Sequence, residues 1–276
     1  MLKAISWNIA SRPDLWRTLM TSDADVALLQ EACMPPPDLR LGIHAGPEEW
    51  RTDGEQATRR WRTAVVQVNP RVDVRWYTPR PIREAEGGEL AVSRAGTLSA
   101  AKVTDPHSGE VFTFISMYSC WERPHESTRS SWIYADASAH RLISDLSALI
   151  GRQSGHRIVA AGDLNILRGY GEAGNRYWAG RYQTVFDRFE AIGLQFVGPQ
   201  SPDGRQAVPW PDELPPESRN VPTYHTARQT VENPTRQLDF VFASKGIAGR
   251  VKARALNEPE EWGSSDHCRI KIEIAG

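Results

Sequence analysis

Apolar and polar positions recur with a two-residue period in some stretches and near a helical period in others, and the two kinds alternate along the chain. Leu2–Asn8 reads as a strand and Arg12–Met20 as a short helix. Val26–Gln30 is a short apolar run ending on Glu31, the pattern of a buried strand. Ala64–Val68, Thr97–Val103 and Val111–Met117 carry further β-type runs, and Asp105-Pro106-His107-Ser108-Gly109 forms a turn between the last two. From Ser127 to Ile150 the residues Ile133, Ala137, Leu142, Leu146 and Leu149 recur at helical spacing, with Gly151 as the stop. Arg157–Ala161 is a strand that runs into Gly162-Asp163-Leu164-Asn165, and Tyr182–Ile192 a helix closed by Gly193. Leu238–Ala243 and Arg269–Ile274 are late strands.

No internal repeat interrupts this order. Residues 199–222 are rich in proline and acidic side chains and read as a loop rather than a linker. The pattern predicts one domain over residues 1–276, with strands before and after the central helices packed into two sheets.

Composition narrows the classes. Charged residues are 24% and apolar residues 40%, ordinary for a globular protein, and the net charge of -1 gives no general basic coat for gripping nucleic acid. Cys33, Cys120 and Cys268 lie far apart without a CxxC pair, so they suit neither a disulfide framework nor a zinc cage. The start is too soon polar for a signal peptide, and no apolar run approaches the roughly 20 residues that span a bilayer. The expected setting is the cytoplasm, with no membrane.

The candidate chemistry sits where strands end. Asn8 closes the first strand, Glu31 follows the second and Tyr118 closes a central one. Asp163 and Asn165 stand two apart, so both point to one face if the strand continues through them. Asp239 lies within a late strand, where a buried acid needs a partner, and Asp266-His267 precede the last strand. Hard oxygen ligands favour magnesium or manganese, which also bind phosphate oxygens. Phosphate-ester hydrolysis needs such a metal, a base for water and a donor toward the scissile group.

The motifs Ser6-Trp7-Asn8, Leu29-Gln30-Glu31, Met117-Tyr118, Gly162-Asp163-Leu164-Asn165, Leu238-Asp239-Phe240 and Ser265-Asp266-His267 resemble, in that order, those of the endonuclease/exonuclease/phosphatase superfamily. One motif alone turns up by chance, whereas the ordered set spans nearly the whole chain. The resemblance implies an α/β (α+β) fold, a four-layer α/β/β/α sandwich of two mixed sheets flanked by helices. It implies a divalent-metal-dependent hydrolase of phosphodiester bonds, using Mg2+ or Mn2+. Glu31 would be the main metal ligand, supported by Asn8, and Asp266 a second or water-mediated one. Asp163 would orient or deprotonate the attacking water, and Asn165 would bond a phosphate oxygen. His267 would contact the scissile phosphate, held by Asp239. Either His267 or Asp163 could be the base.

Tyr118 stands where many relatives have histidine and where exonuclease III-like and abasic-site endonucleases have tyrosine, which tilts the substrate toward DNA. A phenol there can donate to a phosphate oxygen or a leaving group. Ala10 and the continuation Ser119-Cys120-Trp121 depart from that branch, so abasic-site repair does not follow. The alternative substrates are RNA, a phosphoinositide or another small phosphate ester. Arg168, Arg176 and Arg181 follow the GDLN strand, and Arg59, Arg60 and Arg62 bracket Trp61, as candidate phosphate contacts. His225 lies where relatives often place substrate-contacting aromatics. Gly169-Tyr170-Gly171-Glu172-Ala173-Gly174 matches a dinucleotide fingerprint in letters, but it does not open a helix directly. It reads as a loop at the rim of the site. The chain holds ten tryptophans, most of them expected in the core.

Overall fold

The computed structural model describes residues 1–46, 62–124, 127, 131–151 and 155–276. The strands are β1 (Leu2–Asn8), β2 (Val26–Ala32), β3 (His44–Gly46), β4 (Arg62–Gln67), β5 (Asp73–Trp76), β6 (Pro79–Pro81), β7 (Leu90–Val92), β8 (Leu98–Thr104) and β9 (Val111–Tyr118). They continue with β10 (Ile158–Asp163), β11 (Leu194–Gly198), β12 (Asp239–Ser244), β13 (Val251–Leu256) and β14 (Arg269–Ile274). The helices are α1 (Leu15–Met20), α2 (Ala135–Leu146), α3 (Arg176–Ala191) and α4 (Pro259–Trp262). One six-stranded sheet has the order β13-β14-β1-β2-β4-β3, the other β11-β12-β10-β9-β8-β5. Both are mixed: β1 runs parallel to β2 and antiparallel to β14, and β10 runs parallel to β9 and antiparallel to β12.

Side-chain alternation sorts the strands into three cores. Leu2, Ala4, Val26 and Leu28 of the first sheet meet Phe112, Phe114, Val159, Ala161 and Val241 of the second. The other face of the second sheet packs Ile115, Ala160, Phe240 and Phe242 against Leu142 of α2 and Trp178 and Phe189 of α3. The other face of the first sheet packs Ile5, Trp7, Ala27 and Leu29 against Leu15, Trp16 and Leu19 of α1. The result is the expected four-layer α/β/β/α sandwich. A helix as short as α1 has no stability of its own. Its three buried side chains supply it, at about 2 kcal/mol each.

Along the inter-sheet face the filling changes from apolar to polar toward one end of the strands. Leu2 and Ala4 are followed by Ser6 and Asn8, Val26 and Leu28 by Gln30, and Phe112 and Phe114 by Ser116 and Tyr118. Val159 and Ala161 lead to Asp163 in the same way, and Ala243 and Val241 lead back to Asp239. Gln30 closes this end of the seam, its Nε2 donating to Ser6 Oγ on the neighbouring strand at 3.3 Å and across to Ser116 Oγ of the second sheet at 3.0 Å.

Several boundaries differ from the sequence reading. The helix predicted from Ser127 begins at Ala135, because Ser131, Trp132 and Ile133 are drawn into the wall of a cleft. The helix predicted from Tyr182 starts at Arg176, where Asn175 caps it by accepting the Tyr177 N–H at 2.8 Å. The strand through Asp163 stops there, and Asn165 turns off with φ 51°. Residues 199–222 form turns without regular structure, as expected. Cys33, Cys120 and Cys268 are free thiols, the last two buried. Among the described residues no helix is long and apolar enough to cross a membrane.

Gly162 lies one residue before Asp163 with φ 155°, and a Cβ there would overlap the Met117 carbonyl of the neighbouring strand. Gly162→Ala is therefore expected to lower stability by about 2–4 kcal/mol by forcing β9 and β10 apart. Urea unfolding of the variant beside the wild type measures this.

Candidate active site

Register places the key side chains side by side. Asp163 is the Cα partner of Tyr118 on β9 and of Asp239 on β12. Two buried carboxylates directly opposite one another repel, so the arrangement needs a partner that both can use. That partner is His267, which enters from the turn before β14. Its Nδ1 lies 2.8 Å from Asp239 Oδ2 and its Nε2 3.8 Å from Asp163 Oδ2.

The turn that delivers His267 is tied to the first sheet. Ser265 Oγ donates to the Asn8 carbonyl at 2.7 Å, and Trp7 Nε1 donates to the His267 carbonyl at 3.1 Å. On the other side Thr223 Oγ1 donates to Asp239 Oδ2 at 2.7 Å and accepts the N–H groups of Leu238 and Asp239 at 3.0 and 3.1 Å. Thr223 belongs to an extended segment bonded to both Arg236 and Cys268, so it braces the late strands together. No motif in the sequence pointed to it.

Asn8 joins the two sheets at the site. Its Nδ2 donates to Asp163 Oδ2 at 3.1 Å and to Glu31 Oε1 at 3.3 Å. Alternation along β2 would send Glu31, like Ala27 and Leu29, toward α1. Instead the pairing with β4 slips between Leu29 and Ala32, and Glu31 takes φ 46°, which turns its carboxylate into the cleft. Asn165 folds back on Asp163: its N–H donates to Asp163 Oδ1 at 2.9 Å, and its Nδ2 donates to the Ser119 carbonyl at 2.8 Å and to Asp163 Oδ2 at 3.3 Å. Its Oδ1 accepts the Trp121 indole N–H at 2.8 Å. The amide expected on a phosphate oxygen is thus engaged in holding Asp163 and Trp121.

Burial pushes the Asp163 carboxyl up to about 8, against the pull of His267 and with the repulsion of Asp239. Burial also works against a charged His267, but Asp239 and Asp163 outweigh it and raise the ring to about 10. For Tyr118, burial and then the charges of Glu31 and Asp163 drive the phenol far above its usual range, so it stays a protonated donor.

These groups open onto a cleft of about 700 Å³ lined by Glu31, Tyr118, Asp163, Asn165, Asp266 and His267, with Asn8 and Asp239 buried behind them. No Lys or Arg among the described residues pairs with Glu31 or Asp266. Nor do three His, Cys, Asp or Glu side chains gather into a cage among those residues. That donor set fits magnesium, which takes one or two carboxylates and completes its shell with water and substrate phosphate. Glu31 and Asp266 are the residues that would hold it.

The predicted substrate contacts divide. Arg168 lies outside the cleft, in a second cavity, stacked 4.2 Å from the Phe196 ring centroid and 3.4 Å from Asn220 Oδ1. Arg176 also lies outside it, beside Asp136 and Arg181 on the α2–α3 face. His225 packs its ring 5.5 Å from Trp262 and reaches the site only through its N–H, which donates to the Asp266 carbonyl at 3.0 Å. Arg59, Arg60 and Trp61 fall outside the described residues. The glycine-rich loop does border the cleft: its Glu172 pairs with Arg236 at 2.9 Å, and both line the wall. Sequence reasoning missed Arg236, Tyr224, Trp121 and Trp132, although the tryptophan excess was the available signal.

The profile of the Endonuclease/Exonuclease/phosphatase family matches residues 5–267. No curated protein matches the chain. Among solved structures, the AP endonuclease LMAP from Leishmania major is 14% identical with a TM-score of 0.63, over 100% of this chain and 88% of that one. The 3' phosphatase NExo from Neisseria, bound to a product DNA hairpin, is 16% identical with a TM-score of 0.58 over 100% of both chains. TDP2 of D. rerio, complexed with a single strand DNA product, is 16% identical with a TM-score of 0.54, over 100% and 99%. At these identities the likeness is one of fold.

Thr223→Val keeps the shape of the side chain but strips Asp239 of a donor and two buried N–H groups of their acceptor. It is expected to cost about 2–4 kcal/mol of stability, measured by urea unfolding.

Proposed function

The chain belongs to the endonuclease/exonuclease/phosphatase family, and on that footing we propose that it is a divalent-metal-dependent phosphodiesterase whose substrate is DNA. The observation that carries this reading is the His267 ring set between Asp239 and Asp163, beside carboxylates that no Lys or Arg of the described residues neutralises. That combination suits attack of water on a phosphate ester and little else.

Asp163, raised toward the working pH and held by Asn8 and Asn165, takes the proton of the attacking water. His267 is kept protonated by Asp239, so its Nε2 donates toward the phosphate and offsets the charge that grows there. Tyr118 keeps its proton and can pass a hydrogen bond to the leaving oxygen. Asp239, Thr223 and Asn8 act as positioning residues. A bound magnesium or manganese would supply Lewis-acid polarisation of the phosphate, held by Glu31 and Asp266. The choice of DNA rests on Tyr118 and on the DNA that two fold neighbours carry.

The test is nicking of supercoiled plasmid in magnesium and in manganese, with EDTA and His267→Ala as controls. Nicking that EDTA abolishes and the variant lacks is expected. A folded protein that cuts neither the plasmid nor a single-stranded DNA oligonucleotide in either metal would move the substrate to RNA or a small phosphate ester. Glu31→Ala is expected to raise the magnesium concentration needed for half-maximal rate by about ten-fold or more, since a hard cation loses a charged ligand. An unchanged magnesium dependence would remove Glu31 from that role.

A further inference from the structure

One wall of the cleft is built from aromatic rings that the catalytic chemistry does not use. Trp121 stands three residues beyond β9 and is 56% exposed, and Trp132 is 49% exposed. With Tyr177, which lines the separate cavity on the α2–α3 face, they are the exposed Trp, Tyr and Phe side chains among the described residues, and the two tryptophans border this wall. Elsewhere large rings are packed away, as Trp7, Trp16 and Trp262 are. Leaving apolar area of this size in water at a cleft mouth marks a surface that something else covers.

The rings are held in place. The Trp121 indole N–H donates to Asn165 Oδ1, and Asn165 is bonded in turn to Asp163. The Trp121 indole is therefore tied, through one amide, to the carboxylate assigned to the attacking water. Trp132 lies with its centroid 5.0 Å from that of buried Trp178, which Tyr134 and Tyr182 back at 5.5 and 6.1 Å. Both rings line the cleft, Trp121 held by its hydrogen bond and Trp132 by packing on Trp178.

Charge in the cleft points the same way. Glu31, Asp163, Glu172 and Asp266 line it, and the one Arg or Lys among its described lining residues, Arg236, is already paired with Glu172. A duplex is gripped by several cations spread along its phosphates, and the described lining residues of this cleft do not offer them. Its volume of about 700 Å³ suits a ligand the size of one or two nucleotides. The exposed π-faces add affinity to the phosphate contacts of the site, and indole stacks on any base without reading its sequence.

Building on the phosphodiesterase reading, we propose that Trp121 and Trp132 form a stacking subsite for an unpaired base next to the scissile phosphate, so that the enzyme acts on single strands, frayed ends or extruded nucleotides rather than on intact duplex. The Trp121–Asn165 hydrogen bond is the link that converts a stacked base into a correctly placed phosphate.

The test compares binding of fluorescent DNA, by anisotropy in calcium, with plasmid and oligonucleotide cleavage in magnesium. The probes are a short single strand, the same strand with one base removed at successive positions, and a blunt hairpin. The wild type is expected to bind the single strand about ten-fold tighter than the hairpin, and to lose about ten-fold when the base beside the cleaved phosphate is missing. Trp121→Ala with Trp132→Ala is expected to bind the intact strand about ten-fold more weakly and no longer to notice the missing base. Trp121→Phe, which keeps a ring without the indole N–H, should still notice it. Both rings are half exposed, so the variants leave the core intact, and circular dichroism checks this. A hairpin bound as tightly as the strand, no binding at all, or sensitivity to the missing base that survives in the double variant would overturn the subsite. Tryptophan-dependent binding to phosphatidylcholine vesicles but not to DNA would overturn it as well. The expected binding pattern without cleavage in magnesium or manganese would instead overturn the phosphodiesterase reading and leave the subsite standing.

Discussion

Two carboxylates, Asp163 and Asp239, are fixed opposite each other by strand register at the closed end of an apolar seam. Neither strand can slip to relieve the repulsion, because a one-residue shift would turn every core side chain of β10 and β12 to the wrong face. The conflict is resolved by one imidazole, and the need to bring it there explains much of the surrounding structure. Ser265, Trp7 and Thr223 all serve to hold the His267 turn and its carboxylate partner in one arrangement. The same arrangement sets the chemistry: the two carboxylates keep His267 charged, and burial, helped by the repulsion of Asp239, raises the Asp163 carboxyl well above its ordinary range.

The seam between the sheets is both core and site. Its strands fill one end with valine, leucine and phenylalanine and the other with asparagine, glutamine, tyrosine and aspartate, without any change of fold. Two local departures from strand geometry finish the site. The positive φ of Glu31 brings a carboxylate in from a strand face that points elsewhere, and that of Asn165 turns an amide back onto Asp163. Asn8 then couples the two sheets with the two hydrogens of one amide.

The central strands were legible because they are buried on both faces or alternate cleanly. The edge strands β3, β5, β11 and β13 were not, since an edge can be short or mixed in polarity and still pair on one side. Strand-end polar residues pointed to Asn8, Glu31, Asp163, Asp239 and His267, which the structure brings to one place. Arg168 and Arg176 looked equally suitable by proximity in sequence, yet each lies in a different cavity, because a loop or a helix turn separates them from the strand end. Thr223 and Trp121 act through hydrogen bonds to residues far along the chain, and a side chain's tertiary partner leaves no mark on local pattern.

The pairing of β14 with β1 joins the last strand to the first, and Trp7 bonds to His267 across 260 positions. The imidazole therefore reaches Asp239 and Asp163 only through a contact between segments far apart in the chain. Loss of the β14 pairing would leave the acidic end of the seam without its imidazole, and so without a complete hydrolytic centre.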